Sequence, residues 1–513
     1  METLSHLATG FGVALQPVNL LVAALGAFLG TVVGLLPGLG PINGVAILMP
    51  LAFALKLPPE TALILLAATY IGCEYGGRIS SILLNVPGDA GAIMTAIDGY
   101  PMARKGLGGV ALSISAWSSF VGSIVATIGI AIAAPILAKW ALAFGPAEYF
   151  ALMIFSFACI AGLIADQPVK AVLATVIGLA LSTVGVDANS GVYRFTFDSV
   201  HLGDGIQFIV VVIGLFSVSE ILLMLEHAVH GPSAIPDTGR SMFNLKEMAQ
   251  TWWGTVRASL VGFVVGVLPG AGATVASAMS YSMEKRLTDK EGTFGTGDIR
   301  GVAAPEAANN ASANGSFVPM LTLGVPGSST TAVMMGALTL YNITPGPALF
   351  DQEPRLVWGL IASMFVGNLI LLVMNIPLAG VFTRMLKVPN WALVPGILAV
   401  SAVGVYGVHA TTFDLVLMAV FGIAGYLLRK CDVPMAPLIL GFVLGGIVEQ
   451  NLRRALSITN GETGILWESP ISIGLWLAAA AIVAGPPVYR SVRRRHQSLS
   501  ESRERQDALL QGE

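Results

Sequence analysis

The chain has 513 residues, of which 55% are hydrophobic and only 11% charged, with a net charge of −3 and a mean hydropathy of +0.77. Soluble domains carry about 25% charged residues, so a soluble fold of this length would lack the polar surface to cover itself, and lipid must wet most of the outside. Glycine at 59 and proline at 28 fit that setting, because membrane helices tolerate both better than soluble ones. This excludes a soluble enzyme, a nucleic-acid binder, a disordered scaffold and a single-span receptor. Cys73, Cys159 and Cys431 are widely separated and lie in or beside apolar runs, so they read as buried small hydrophobes rather than metal ligands or a disulfide framework.

Apolar runs near 20 residues predict bilayer-crossing helices. In chain order these are Val18–Leu36, Gly109–Leu137, Ala147–Ala165, Val169–Val186, Ile206–Leu225, Leu356–Leu378, Trp391–Val408, Leu415–Leu428, Pro434–Val448 and Ile471–Pro486. Only Glu2 and His6 are ionisable before Val18, so no basic region marks a cleavable leader and the first run is read as a retained span. Other apolar stretches are short or interrupted by Pro and Gly: Ile42–Leu55, Pro59–Cys73, Ile82–Ile97, Leu260–Leu268, Thr274–Met283 and Phe317–Leu340. Irregular backbone at membrane depth survives only against protein or a water-filled cavity, so these stretches are where a pathway belongs.

The interruptions occur twice. Gly30–Gly40 matches Gly262–Gly272 with eight of eleven positions identical, including both Pro-Gly-x-Gly turns, and Val86-Pro87-Gly88 matches Val325-Pro326-Gly327. The offsets are 232 and 239 residues, so the chain reads as two homologous halves. Lys and Arg favour cytoplasmic loops. The basic segment Tyr489–Arg495, Arg429-Lys430, Arg384 with Lys387, Arg104-Lys105 and Arg240–Arg257 are therefore placed inside, and the acidic loop Asp187–Asp204 outside. Corresponding loops then fall on opposite sides, which predicts inverted repeats. Arg453-Arg454 is the exception, falling outside on this count.

Uncharged polar residues gather at the interruptions. Asn309, Asn310, Ser312, Asn314 and Ser316 precede the second Val-Pro-Gly, and Ser328, Ser329, Thr330 and Thr331 follow it; Ser80, Ser81, Asn85 and Asp89 flank the first. A helix start presents unpaired N–H groups and positive potential suited to a carboxylate, and two such starts near the midplane are the arrangement of discontinuous-helix transporters. The candidate substrate residues are Arg78, Ser80, Ser81, Asn85, Gly88, Asn310, Asn314, Ser316, Gly327, Ser328, Ser329 and Thr330. The competing reading is that Ser328 and Thr330 only cap a bent helix. The Pro-Gly-x-Gly turns free backbone carbonyls, so Gly38, Gly40, Asn43, Gly270, Gly272 and Thr274 are candidates for a Na⁺ site, with a plain structural kink the alternative. Glu74 and Arg78 sit four apart on one helix face, either as a mutual ion pair or with Arg78 meeting an anion. Glu306 has the same open readings as Glu74 and Arg78, a buried structural or functional charge, with a solvated loop position beside Pro305 slightly favoured. No Ser–His or Asp–Asp pair suggests an intramembrane enzyme.

The chain resembles the large membrane subunit of the tripartite tricarboxylate transporters. The likeness rests on Gly34–Pro41, Tyr75–Asp89, Asp98–Gly106, Pro305–Gly315 and Leu323–Ala332, and extends over roughly residues 15 to 485. It implies a bacterial inner-membrane protein working with a small four-span membrane subunit and a periplasmic solute-binding protein that delivers a carboxylate. It also implies secondary uptake driven by Na⁺ or H⁺, without a cofactor and without nucleic acid.

The expected fold is an all-α polytopic membrane protein with about 12 transmembrane segments in two inverted repeats with broken or re-entrant helices. Residues 1–230 form the first repeat, 231–257 a cytoplasmic linker with an interfacial amphipathic helix around Trp252-Trp253, 258–489 the second repeat, and 490–513 a charged cytoplasmic tail. The expected function is binding-protein-dependent import of carboxylates on an ion gradient. An ion channel, or a secondary transporter acting without a binding protein, is the alternative.

Overall fold

In a computed structural model, residues 2–36, 38–163, 167–187, 189–227, 239–270, 272–386, 388 and 390–485 are described. The expected charged tail, Pro37, and residues 231–238 of the segment joining the halves lie outside them. Helices dominate. The first half runs α1 (Glu2–Ala14), α2 (Pro17–Leu35), α3 (Gly40–Ala54), α4 (Pro59–Leu84), α5 (Ile93–Arg104), α6 (Gly108–Ala141), α7 (Pro146–Leu163) and α8 (Pro168–Ser182). A two-residue hairpin, β1 (Gly185–Val186) with β2 (Tyr193–Arg194), precedes α9 (Phe208–Val212), which passes through a π-helical stretch, Ile213–Val218, into α10 (Ser219–His227). Then follow α11 (Leu245–Val267), α12 (Gly272–Thr288), α13 (Arg300–Gly315), α14 (Phe317–Leu323), α15 (Ser329–Leu340), α16 (Leu349–Gln352), α17 (Pro354–Asn375), α18 (Ala379–Met385), α19 (Asn390–His409), α20 (Thr412–Lys430) and α21 (Met435–Ile458). The last, α22, is Pro470–Gly485.

Six of these are long and apolar enough to cross a bilayer: α2, α6, the α9–α10 run, α17, α20 and α21; six shorter apolar helices accompany them. The architecture is thus all-α and polytopic among the described residues, apart from the small hairpin. Two sequence expectations are corrected in detail. Pro59–Leu84 is one unbroken 26-residue helix rather than two short pieces, because Gly72 and Gly76 serve packing instead of bending. Asn244–Arg257 does not end as a separate amphipathic helix but runs straight on to Val267 as α11.

Close helix contact explains many of the glycines. At Gly34 of α2 an added Cβ would stand 2.1 Å from the Cys73 carbonyl of α4, and at Gly266 of α11 it would stand 2.4 Å from the Ser312 carbonyl of α13. The α2–α4 and α11–α13 pairs therefore touch backbone to backbone, the small-residue packing that replaces hydrophobic drive in lipid. The remaining packing exchanges partners between halves. Helix α6 lies against α11 and α13, while α17 lies against α2 and α4.

The loop before α13 is tied to α5. Asp98 Oδ1 accepts the backbone N–H groups of Gly295, Gly297 and Asp298, each at 2.8 Å, and Oδ2 accepts the Tyr281 hydroxyl at 2.9 Å. Burial pushes the Asp298 carboxyl up, but its bonds to the Arg300 guanidinium and the Thr293 hydroxyl outweigh that and hold it below the usual range. Near the hairpin, the backbone N–H groups of Ser190 and Asn189 hold Asp187 at about 2, and Arg453 of α21 bonds its Oδ2 at 2.8 Å. Cys431 is exposed, unlike Cys73 and Cys159, because it caps the end of α20 rather than lying within it.

Candidate functional site

The described residues of the two Pro-Gly-x-Gly turns match in backbone conformation. Leu36 ends α2 in extended conformation (φ −81°, ψ 120°) with its N–H on the Val33 carbonyl. Leu268 ends α11 the same way (φ −77°, ψ 124°), bonded to Val265. Left-handed glycines follow: Gly38 and Gly40 at φ +85° and +60°, Gly270 and Gly272 at +79° and +66°. A side chain at these φ values is strained, which accounts for glycine at both.

The Val-Pro-Gly crossovers are matched as closely. Asn85 closes α4 at φ 57° and Gly324 closes α14 at φ 65°. Asn and Gly are the two residues that accept the left-handed helix cap. After Gly88, Asp89 takes φ −143°, ψ 170° and its Oδ1 accepts the Ala92 N–H at 3.0 Å. After Gly327, Ser328 takes φ −146°, ψ 167°, its Oγ accepting the Thr331 N–H at 3.2 Å while Thr331 Oγ1 accepts the Ser328 N–H at 2.8 Å. That reciprocal pair is a capping box.

All four interruptions meet at one cavity of about 730 Å³. From the candidate list, Gly88, Ser328, Ser329 and Thr330 line it, together with all of Gly38, Gly40, Asn43, Gly270, Gly272 and Thr274. A Gly270 N–H bond to the Gly327 carbonyl, 3.0 Å, links the turn and the crossover of the second half. Tyr70, reaching over from α4, places its hydroxyl 3.1 Å from Ser328 Oγ.

The other candidates lie outside the cavity lining. Ser316 is one layer back, donating to the Ala313 carbonyl at 2.6 Å and standing 3.4 Å from Ser328 Oγ. Gly327 is packed on Ser316, where a Cβ would meet its Cα at 2.6 Å. Ser80 and Ser81 both donate to the Gly77 carbonyl of their own helix, at 3.2 and 2.9 Å. Asn85 is exposed as the α4 cap. Asn310 donates to Ser119 Oγ at 2.8 Å and Asn314 to the Ser123 carbonyl at 3.1 Å, both fastening α13 to α6.

Glu74 and Arg78 do not take each other as partners. Arg78, 1% exposed, reaches Ser119 Oγ at 3.0 Å and Asn375 Oδ1 at 3.5 Å, with its guanidinium 4.5 Å from the Tyr75 ring centre. Ser119 in turn donates to Glu306 Oε2 at 3.1 Å, and Thr95 to Glu306 Oε1. Glu306 is therefore a fully buried residue of α13, not a solvated loop residue, because Pro305 sits inside that helix. Glu74 lines the cavity and accepts the Asn309 amide N–H at 3.0 Å. Arg429 also reaches the cavity, ion-paired with Glu220. Tyr70 and Arg429 are cavity residues that the motif reading missed. Tyr70 lies one turn before Glu74 on the same face of α4, the signal that would have found it. Arg429 offers no comparable signal, since a basic residue in the last turn of α20 reads only as a marker of topology.

Comparison with known proteins agrees with this picture. Residues 20–440 match the model of the tripartite tricarboxylate transporter TctA family. Over 495 residues, 96% of this chain, it is 42% identical to a 52.8 kDa Agrobacterium vitis protein from the TAR-I ttuC′ 3′ region, described as uncharacterized and covered over 98% of its length. A second uncharacterized A. vitis protein, from the TAR-II ttuC′ 3′ region, is 45% identical over 235 residues, which is 45% of this chain and 97% of that one. No solved structure matches. This multi-pass membrane protein belongs to the TctA family of tripartite tricarboxylate transporters.

Proposed function

We propose that the chain is the membrane-spanning subunit of a secondary transporter that imports carboxylates on an ion gradient. The ion is Na⁺, with H⁺ as the alternative. The carboxylate is received from a periplasmic binding protein and a small four-span subunit stands alongside, in the bacterial inner membrane with the C-terminus inside. The observation that carries the reading is the single cavity where two helix starts and two left-handed glycine turns converge. One carboxylate end fits the α15 start, where Ser329 and Thr330 line the cavity and a helix N-terminus offers unpaired N–H groups and positive potential. Gly88 gives close access at the opposite start. Cation ligands come from Gly38, Gly40, Asn43, Gly270, Gly272 and Thr274. About 12 segments in two inverted repeats account for the matched turns and for the exchange of α6 and α17 between halves, since both features are unchanged when the halves are swapped.

Reconstitution with the binding protein and the small subunit, followed by uptake of labelled dicarboxylates and tricarboxylates, tests this. Ser329→Leu or Thr330→Leu is expected to abolish uptake with membrane insertion intact; unchanged kinetics would remove these residues from the site. Replacing Na⁺ by choline at fixed pH is expected to stop uptake, and full activity in choline would assign the coupling to protons. Transport of equal rate without the binding protein would replace the tripartite arrangement with an autonomous carrier.

A further inference from the structure

Buried charge in a membrane protein is costly unless paired or functional, so the charges around the cavity reward a balance. Arg78 is matched by Glu306 through Ser119, and Arg429 by Glu220. Glu74 and Asp89 remain. Glu74 is 2% exposed, and its hydrogen-bond partner is the neutral amide of Asn309. Asp89 Oδ1 accepts a backbone N–H, while Oδ2 is buried with no partner. Both residues line the cavity. Among the described residues, neither carboxylate forms an ion pair.

Two neutral oxygens share this predicament. Asn43 and Asn309 are 3% and 0% exposed, and the Oδ1 of each is buried without a donor. Their amide nitrogens are spent elsewhere, on the Leu39 carbonyl and on Glu74 Oε2 respectively. Absent side chains make room for these oxygens. A Cβ at Gly77 would stand 2.2 Å from Asp89 Oδ2, and one at Gly91 would stand 2.2 Å from Asn309 Oδ1. Gly40 brings the start of α3 to Asp89, where its Cβ would come within 3.5 Å of the Asp89 Cβ, and Asn43 lies one turn along that helix.

We infer that Glu74 and Asp89, with the side-chain oxygens of Asn43 and Asn309, bind sodium, and that this must happen before a carboxylate can enter. Hard oxygen donors of mixed charge suit a hard cation. A proton would neutralise a carboxylate but leave amide oxygens without a use, which favours the metal ion. The ordering follows from charge: an anionic substrate entering beside two uncompensated carboxylates is repelled, and one entering beside bound cations is attracted. The ordering rests on the carboxylate reading above; the sodium site itself does not.

The test is saturable ²²Na⁺ binding to the purified full-length chain at fixed pH, choline-balanced and without any carboxylate. Wild type is expected to bind, and Glu74→Gln and Asp89→Asn each to weaken binding at least ten-fold. Asn also serves as a helix N-cap, so Asp89→Asn keeps the cap of the 3₁₀ turn Ala90–Ala92 that leads into α5, and Asn309→Ala probes the site without changing charge. Cys431→Ser, an exposed position outside the cavity lining, is expected to bind as wild type. Every variant is compared as a monodisperse peak on gel filtration. Absence of saturable binding by wild type, or unchanged affinity in Glu74→Gln and Asp89→Asn, overturns the site. Sodium binding as expected in a protein whose reconstituted complex transports no carboxylate would leave the site standing and overturn the transport reading.

Discussion

After Val86-Pro87-Gly88 the chain enters its next helix through a carboxylate, Asp89; after Val325-Pro326-Gly327 it enters through a hydroxyl, Ser328. The backbone angles of the two capping residues differ by only a few degrees, so the crossovers are one structure with two chemistries. A carboxylate and a hydroxyl cap a helix about equally well, which means capping does not explain the difference. What differs is the charge presented to a shared cavity. On the proposed reading, the Asp89 end, beside Glu74, gathers cations, and the Ser328 end, followed by Ser329 and Thr330, receives the anion. On that reading one backbone path serves at both ends, and the side chains set on it divide the labour.

The largest effect is expected from making the two ends alike. Ser328→Asp keeps an N-cap in backbone angles that Asp89 already adopts, so α15 should form normally. It also places a negative charge where the substrate carboxylate is proposed to lie. Two like charges about 4 Å apart repel by about 4 kcal/mol at a protein-surface effective dielectric. Carboxylate uptake in proteoliposomes should therefore fall at least about 100-fold with unaltered helicity by circular dichroism. Uptake near wild type would break the assignment of the anion to this end.

A second comparison sets the paired charges against the unpaired ones. Removing one member of a buried ion pair typically costs about 3–5 kcal/mol, because the other is left uncompensated. Arg78 and Glu306 are bridged by Ser119 rather than in direct contact, so Arg78→Gln should destabilise the protein by no more than that in thermal unfolding, and adding Glu306→Gln should recover much of the loss. Glu74→Gln, measured without sodium, should be neutral or stabilising, since it removes an unmatched charge. A large loss from Glu74→Gln in sodium-free buffer would place Glu74 in a structural pair after all, the reading its spacing from Arg78 had kept open.

The interruptions themselves were legible because Pro-Gly-x-Gly and Val-Pro-Gly have few conformational uses and recur in register. Their side chains were less so. Asn310, Asn314, Ser80 and Ser81 are as polar as Ser329 and lie equally near the breaks, yet they bond helix to helix or back to their own helix. Polar residues in membrane proteins commonly act as such glue, and no single-sequence pattern separates glue from lining, because the choice depends on which neighbour faces the helix. Glu306 was misplaced for a similar reason. A Pro next to a Glu suggests a loop, but Pro305 is tolerated inside α13, and only the packing of α6 against that helix reveals the Ser119 bridge to Arg78.

A smaller effect tests whether the two halves are as alike in packing as in backbone. Gly34→Ala and Gly266→Ala each drive a methyl group into a carbonyl of the facing helix, and overpacking of this kind costs about 1–3 kcal/mol. Both should lower the unfolding temperature followed by tryptophan fluorescence. Gly34→Ala should do so more, since its carbonyl stands 2.1 Å away against 2.4 Å for Gly266. Equal stability of Gly34→Ala and wild type would show that α2 and α4 slide apart readily.

The smallest effect concerns how firmly each helix start is held. Asp89 caps the 3₁₀ turn Ala90–Ala92 that leads into α5 through a single side-chain bond, whereas Ser328 and Thr331 bond each other's backbone. Thr331→Val keeps the side-chain shape and removes the half of the box that accepts the Ser328 N–H, at a cost of about 1 kcal/mol. The α15 start would then resemble the singly capped turn before α5. If its N–H groups receive the anion, the loss should appear as a rise of a few fold in KM for carboxylate at an unchanged maximal rate, because the groups are still present but less firmly aimed. A fall in maximal rate at constant KM would instead mean that the box governs movement of α15 rather than binding at its end.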